Sequence, residues 1–207
     1  MNRLKRVQPQ IVALLLILAA IAVIAPGFLD VTFRGGRLYG SLIDVAVRAA
    51  PVALLAVGMT LVIATRGIDL SVGAVIAICG AVAAQMVAGG QPLVVVIAVA
   101  LTIGLACGVW NGLLVGFLDI QPIIATLILM VAGRGIAQLV TEGAILTFND
   151  PAFSFLGSGA VFGVPMPVIL WMGAGLAVGL LVRRSALGLL IEAVGINRRA
   201  SMLMGVQ

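Results

Sequence analysis

The sequence contains no histidine and very little charge. Only 9% of its 207 residues are charged, where a soluble domain carries about 25%. Without histidine there is no Ser-His triad, no His-containing zinc motif and no His-ligated haem. Lysine occurs once, as Lys5, and no Gly-x-x-x-x-Gly-Lys-Ser/Thr loop is present, so the chain does not bind ATP in that way. The two cysteines, Cys79 and Cys107, lack CxxC spacing, sit in apolar runs and read as small buried hydrophobes. No paired acids and no nucleophile–base spacing appear. No catalytic residue and no metal site are therefore expected, and the chain is not read as an enzyme.

What the sequence has in abundance is hydrophobic residues, 63% of the total, with a mean hydropathy of +1.30. Too few polar groups remain to coat a soluble surface, so the chain is integral to a membrane. A crossing helix needs about 20 apolar residues. Runs with little or no charge cover 7–29, 49–65, 70–118, 120–141 and 165–182. The third run is long enough for two helices, with a turn at Gly89-Gly90-Gln91-Pro92. This predicts six spans in one membrane domain, 1–207. The runs are continuously apolar and do not alternate, which excludes barrel strands. The fold class is all-α, a polytopic transmembrane helix bundle.

Orientation follows the positive-inside rule. Arg3, Lys5 and Arg6 place the N-terminus in the cytoplasm, and six crossings return Arg183, Arg184, Arg198 and Arg199 there with Arg66. Arg34, Arg37 and Arg48 fall outside, against the rule. The first run has a basic start and Ala20-Ile21-Ala22 near its end, but five further spans make it an uncleaved anchor.

Several local features stand out. Gly104, Gly108, Gly112 and Gly116 form a ladder at every fourth position, read as a helix-packing stripe or a sliding surface. Asn111, in the same helix, is interhelical glue or a hydrogen-bonder on a pathway. Between spans two and three lies Arg66-Gly67-Ile68-Asp69-Leu70-Ser71-Val72-Gly73. Asp69 and Ser71 are both possible N-caps, or the segment is a broken helix pointing at a pathway. The 17-residue run before it favours some irregularity. Arg134, between Gly133 and Gly135, is an intramembrane charge that must face protein or water, or snorkel. Asp119 and Gln121-Pro122 mark a tight turn, and 142–164 is a loop too long to be a simple turn. The tail, 185–207, reads as short cytoplasmic helices broken at Gly188 and Gly195. Its Glu192-Ala193-Val194-Gly195-Ile196-Asn197-Arg198-Arg199 stretch suits a docking element.

The spaced set Gly58-Met59-Thr60-Leu61, Gly67-Ile68-Asp69-Leu70-Ser71-Val72-Gly73, Asn111-Gly112-Leu113-Leu114-Val115, Pro122…Ala125-Thr126-Leu127, Gly133-Arg134-Gly135 and Glu192-Ala193-Val194-Gly195-Ile196-Asn197 resembles one family. It is the permease subunit of bacterial ABC importers for monosaccharides, of the ribose/galactose type. Ala50-Pro51-Val52-Ala53-Leu54 and the stretch from Gln121 to Gly135 look most like the galactofuranose permeases. The resemblance implies an inner-membrane permease that docks a cytoplasmic ABC ATPase, which binds the ATP. It also implies a second permease subunit, a periplasmic sugar-binding protein, contact with membrane lipid and no nucleic acid or cofactor in this chain. On the matching positions it puts Asp69, Ser71 and Asn111 near the translocation path and Glu192, Gly195 and Asn197 on the ATPase. A neutral polyol as cargo agrees with the lack of acids well inside the spans.

Two features depart from the family. Arg66 stands where the family usually has glycine, and is expected to pair with Asp69 or disturb the turn. The family has about ten spans of about 20 residues where this chain has six, so it looks like the N-terminal part of a permease. The alternatives are a truncated, non-transporting membrane fragment and a stand-alone secondary transporter.

Overall fold

The structure, a computed structural model, describes residues 9–206. Arg3, Lys5 and Arg6, which carry the expected orientation of the N-terminus, lie outside the described residues. Every expected span is a helix: α1 (Pro9–Ile24), α2 (Ser41–Ala64), α3 (Val72–Ala88), α4 (Leu93–Gly116), α5 (Pro122–Val140) and, after the short α6 (Pro151–Ser158), α7 (Met166–Arg184). The tail forms α8 (Ala186–Ile196) and α9 (Arg198–Leu203). Among the described residues α2, α4, α5 and α7 are long and apolar enough to cross a membrane, and α1 and α3 are apolar helices of 16 and 17 residues. The chain is a polytopic α-helical membrane bundle.

Two boundaries differ from expectation. The second span begins at Ser41 and runs 24 residues, through Asp44, Arg48 and Pro51. A count of uncharged residues stops at Arg48, but a helix continues beyond the hydrocarbon, and Asp44 in its first turn complements the helix dipole. The crossing after α2 therefore owes nothing to a short span. In the tail, α8 passes unbroken through Gly188 and Gly195, and the break falls at Asn197. These glycines serve close approach: a side chain on Gly188 would collide with the Val182 carbonyl, and one on Gly195 with the Ala64 carbonyl.

Two small hairpins were not anticipated. β1 (Thr32–Arg34) pairs antiparallel with β2 (Arg37–Tyr39), and β3 (Ala160–Val161) with β4 (Val164–Pro165). Each turns through two residues of positive φ, Gly35-Gly36 and Phe162-Gly163, the requirement of the type I′ turn that matches strand twist. The amide of Leu38 donates to the Gly163 carbonyl (3.0 Å), joining the hairpins. The loop 142–164 thus has structure of its own, including α6, whose first turn is capped by the Asp150 carboxylate accepting from the Phe153 amide (2.7 Å).

α3 packs on α5 and α4, while α2 pairs with α7. Among the described residues nine apolar side chains are buried and six of them are alanine. Lipid removes the hydrophobic drive for helix association, so close backbone approach at small residues carries the packing. Gly133 of α5 shows it: a Cβ there would lie 2.9 Å from the Ala74 Cβ of α3. The large side chains face outward, as Leu101, Leu105 and Phe117 do.

Candidate functional site

The site is built around the end of α2. The Arg66 amide donates to the Ile63 carbonyl (2.9 Å) and the Gly67 amide to the Val62 carbonyl (2.9 Å), while Arg66 has φ +59°. This is a Schellman motif, in which the residue after the cap adopts the left-handed conformation. The chain ends α3 the same way with Gly90 at φ +74°, and α9 with Gly205 at +85°. In α2 the glycine-favouring position is held by arginine. Arg66 does not disturb the turn and does not pair with Asp69; among the described residues the one ion pair is Arg198–Asp119.

Beyond the turn, the chain crosses to α3 through Ile68, Asp69 and Leu70. Asp69 Oδ1 accepts from the Ser71 amide (2.7 Å) and from the Ser71 hydroxyl (2.6 Å). Neither side chain caps α3: Ser71 occupies the N-cap position in helical conformation, and its hydroxyl proton goes to Asp69. Ser71 is 1% exposed. Asn111 Nδ2, from α4, donates to the Ser71 hydroxyl oxygen (2.9 Å). From α5, the Thr126 hydroxyl accepts from the Leu70 amide (3.1 Å) and donates to the Pro122 carbonyl (2.8 Å). The irregular segment is thereby tied to two helices, to α4 through Ser71 and to α5 through the Leu70 amide. Asn111 Oδ1 is buried without a partner. The structure brings Asp69, Ser71 and Asn111 together. Thr126 belongs with them although sequence reasoning gave it no role beyond its place in the resembling Pro122…Ala125-Thr126-Leu127 stretch.

The tail lies at the same end. Gly195 rests on the Ala64 carbonyl, one residue before the Schellman turn. Asn197 caps α9, its side-chain oxygen accepting from the Ala200 amide (3.1 Å). Arg198 reaches the α4–α5 turn, pairing with Asp119 at 2.9 Å. Glu192 is exposed and lines an open cleft of ≈ 710 Å³ with Arg183, Arg184 and Ser185. The glycine ladder of α4 meets little: a side chain on Gly104 would touch the Cys79 sulfur at 3.9 Å, and Gly108, Gly112 and Gly116 have no neighbour within 4 Å. No group of three or more potential metal ligands occurs among the described residues.

In sequence the chain is similar to known transport permeases. Residues 41–207 match the family described as the permease component of branched-chain amino acid transport systems. The chain is 57% identical over 198 residues to the galactofuranose transporter permease protein of Escherichia coli K12. It is 41% identical to the fructose import permease protein of Bifidobacterium longum and 37% identical to the ribose import permease protein of E. coli K12. These matches cover 95–96% of this chain but only 58%, 57% and 61% of those relatives. No solved structure matches at a significant level.

Proposed function

The chain belongs to this family of transport permeases, and from that premise we propose that it is a membrane subunit of an ATP-driven sugar importer in a bacterial inner membrane. The observation that carries the proposal is the 57% identity to a galactofuranose permease across 96% of the chain. It would form part of the translocation path and dock the ATPase, with a second permease subunit and a sugar-binding protein completing the transporter. Its N-terminus would face the cytoplasm.

In mechanism, Asp69, Ser71, Asn111 and Thr126 hold the α2–α3 crossing in one arrangement. The exposed Glu192 and the base of α8 offer the surface on which an ATPase would sit. Closure of that partner on ATP would push α8, and Gly195 would pass the displacement to the Ala64 carbonyl and so to the crossing, a rigid-body change. The chain itself performs no chemical conversion of the sugar.

The test is uptake of radiolabelled galactose, ribose or fructose by cells making the chain with its candidate ATPase and binding protein. Uptake that stops on ATP depletion and survives a protonophore is expected. Uptake that collapses with the proton gradient but survives ATP depletion would overturn the ATP-driven mechanism. Glu192→Arg should abolish co-purification of the ATPase, and unchanged co-purification would remove Glu192 from the docking surface.

A further inference from the structure

Arg134 is a guanidinium within the 19-residue apolar helix α5, and it has no acidic partner among the described residues. A charge at such a position faces protein polar groups or water, or snorkels to the membrane surface. Two further polar residues share its face. Arg134, Gln138 and Thr141 follow i, i+4, i+7 spacing and so stack along one side of α5. Opposite them, Ala77, Ala81 and Ala84 of α3 repeat the same spacing. The polar face and the alanine face line one cleft of ≈ 450 Å³, with Leu146 at its rim.

The shape of the cleft follows from side-chain size. Toward the tail end, α3 and α5 pinch together where Gly133 meets Ala74 and Ile78. Toward the far end, the alanines leave room that the longer side chains of α5 do not fill. The polar groups are rich in donors. The guanidinium presents a planar fork of N–H groups, and the Gln138 amide adds two donors and an acceptor. The Thr141 hydroxyl donates to its own helix, at 3.3 Å from both the Ala137 and Gln138 carbonyls. Its lone pairs stay free to accept. No carboxylate lines the cleft, so it does not suit a cation. Neighbouring hydroxyl groups of a sugar match this set, and the volume falls in the ordinary range for a small-molecule site, about 300–1,000 Å³.

We infer that the Arg134–Gln138–Thr141 face of α5 lines a water-filled vestibule of the permease and hydrogen-bonds the hydroxyl groups of the passing sugar. This rests on the sugar-permease function proposed above. A pathway site must release what it binds, and a few hydrogen bonds without a closed pocket give that weakness.

The test uses cysteine substitutions in the assembled transporter, in membranes, with a charged membrane-impermeant thiol reagent. The parent chain, with Cys79 and Cys107, sets the background. Gln138→Cys and Thr141→Cys are expected to react at least about tenfold faster than Leu139→Cys on the outward face, because a thiol in hydrocarbon neither ionises nor meets the reagent. Galactose, ribose or fructose, whichever is transported, should slow that reaction. Gln138→Ala should raise KM for uptake by about fivefold with the maximal rate little changed, the loss of one hydrogen bond to the sugar. Arg134→Lys, which keeps the charge without the fork, should do the same.

Labelling no faster than at Leu139→Cys would overturn the proposal and assign the cleft to lipid or to another part of the protein. Fast labelling with no protection by sugar and an unchanged KM would overturn the binding role. Failure of the parent transporter to take up any of the sugars would count against the importer function itself, and the labelling rates would still decide whether the face is wet.

Discussion

Gly195 of α8 lies so close to the carbonyl oxygen of Ala64, the last residue of α2, that no side chain fits between them. The tail is thereby seated on the helix end from which the Asp69–Ser71 crossing departs. A methyl group at this position must push the two helices apart. Gly195→Ala is expected to destabilise the protein by about 1–3 kcal/mol, the usual cost of overpacking, and to reduce uptake more than it reduces ATPase binding. Melting of the detergent-solubilised protein and co-purification of the ATPase check the two halves. A melting temperature equal to the parent's would mean that the seat is not formed.

Arg66 occupies a left-handed position, φ +59°, that closes the Schellman turn of α2. An L-residue there costs roughly 1–2 kcal/mol against glycine, less the extra freedom glycine has when unfolded. Arg66→Gly should therefore raise stability by about 1 kcal/mol. Arg66→Val should lower it, because a β-branched side chain tolerates positive φ least. A thermal-melting series of the three proteins checks the order Gly above Arg above Val, and Arg66→Gly melting below the parent would sink it.

The helices were legible because charge is so scarce that its positions delimit the spans. The start of α2 was not, since the helix begins before Asp44 and Arg48, where a count of uncharged residues does not. Glycine was legible as a marker and misread as a breaker. At Gly188 and Gly195 the helix continues, and the missing side chain serves a neighbour that no local pattern reveals. The hydrogen bond from Asn111 to Ser71 spans 40 residues of sequence, and the relative register of two helices is absent from the periodicity of either. Asp69 and Ser71 were visible as polar residues at a helix start. That one would hold the other, leaving the cap unmade, depended on Asn111 and Thr126 arriving from α4 and α5.

Thr126 holds the crossing through the Leu70 amide at 3.1 Å and is 4% exposed. Thr126→Val keeps the shape and removes the acceptor, leaving the part-buried Leu70 amide without its partner. The expected loss is about 1–3 kcal/mol. Thr126→Ser keeps the hydroxyl and should recover most of it. Melting temperatures of the two variants check this, and a Val variant as stable as the Ser variant would show that the amide finds another partner.

Ser71 is the joint between Asp69 and Asn111, so the two outer residues should not act independently. Asp69→Ala frees the Ser71 hydroxyl proton, and a flip of the Asn111 amide would then let its Oδ1, buried and unpartnered in the intact cluster, accept that proton. The double variant Asp69→Ala with Asn111→Ala should therefore lose a different amount than the sum of the single losses, by about 0.5–3 kcal/mol, as for residues sharing one network. A double-mutant cycle on unfolding free energy checks it, and strict additivity would show that the three side chains are neighbours without coupling.

Arg198 and Asp119 join the tail to the α4–α5 turn, but their side chains are 49% and 80% exposed. An ion pair this open contributes about 0–1 kcal/mol and weakens as salt rises. Arg198→Ala should accordingly leave the melting temperature almost unchanged, whereas Asp119→Ala also loses a residue suited to its φ of +51° and should melt somewhat lower. Any large fall in ATP-coupled uptake in Arg198→Ala must then come from what the pair connects and not from stability. The charge-reversed pair, Asp119→Arg with Arg198→Asp, separates the two explanations. If the contact transmits motion from the tail to the turn, each reversal alone should depress uptake and the double reversal should restore it. A double reversal no more active than the single ones would reduce the pair to a surface contact, leaving the Gly195 seat as the tail's mechanical link to the crossing.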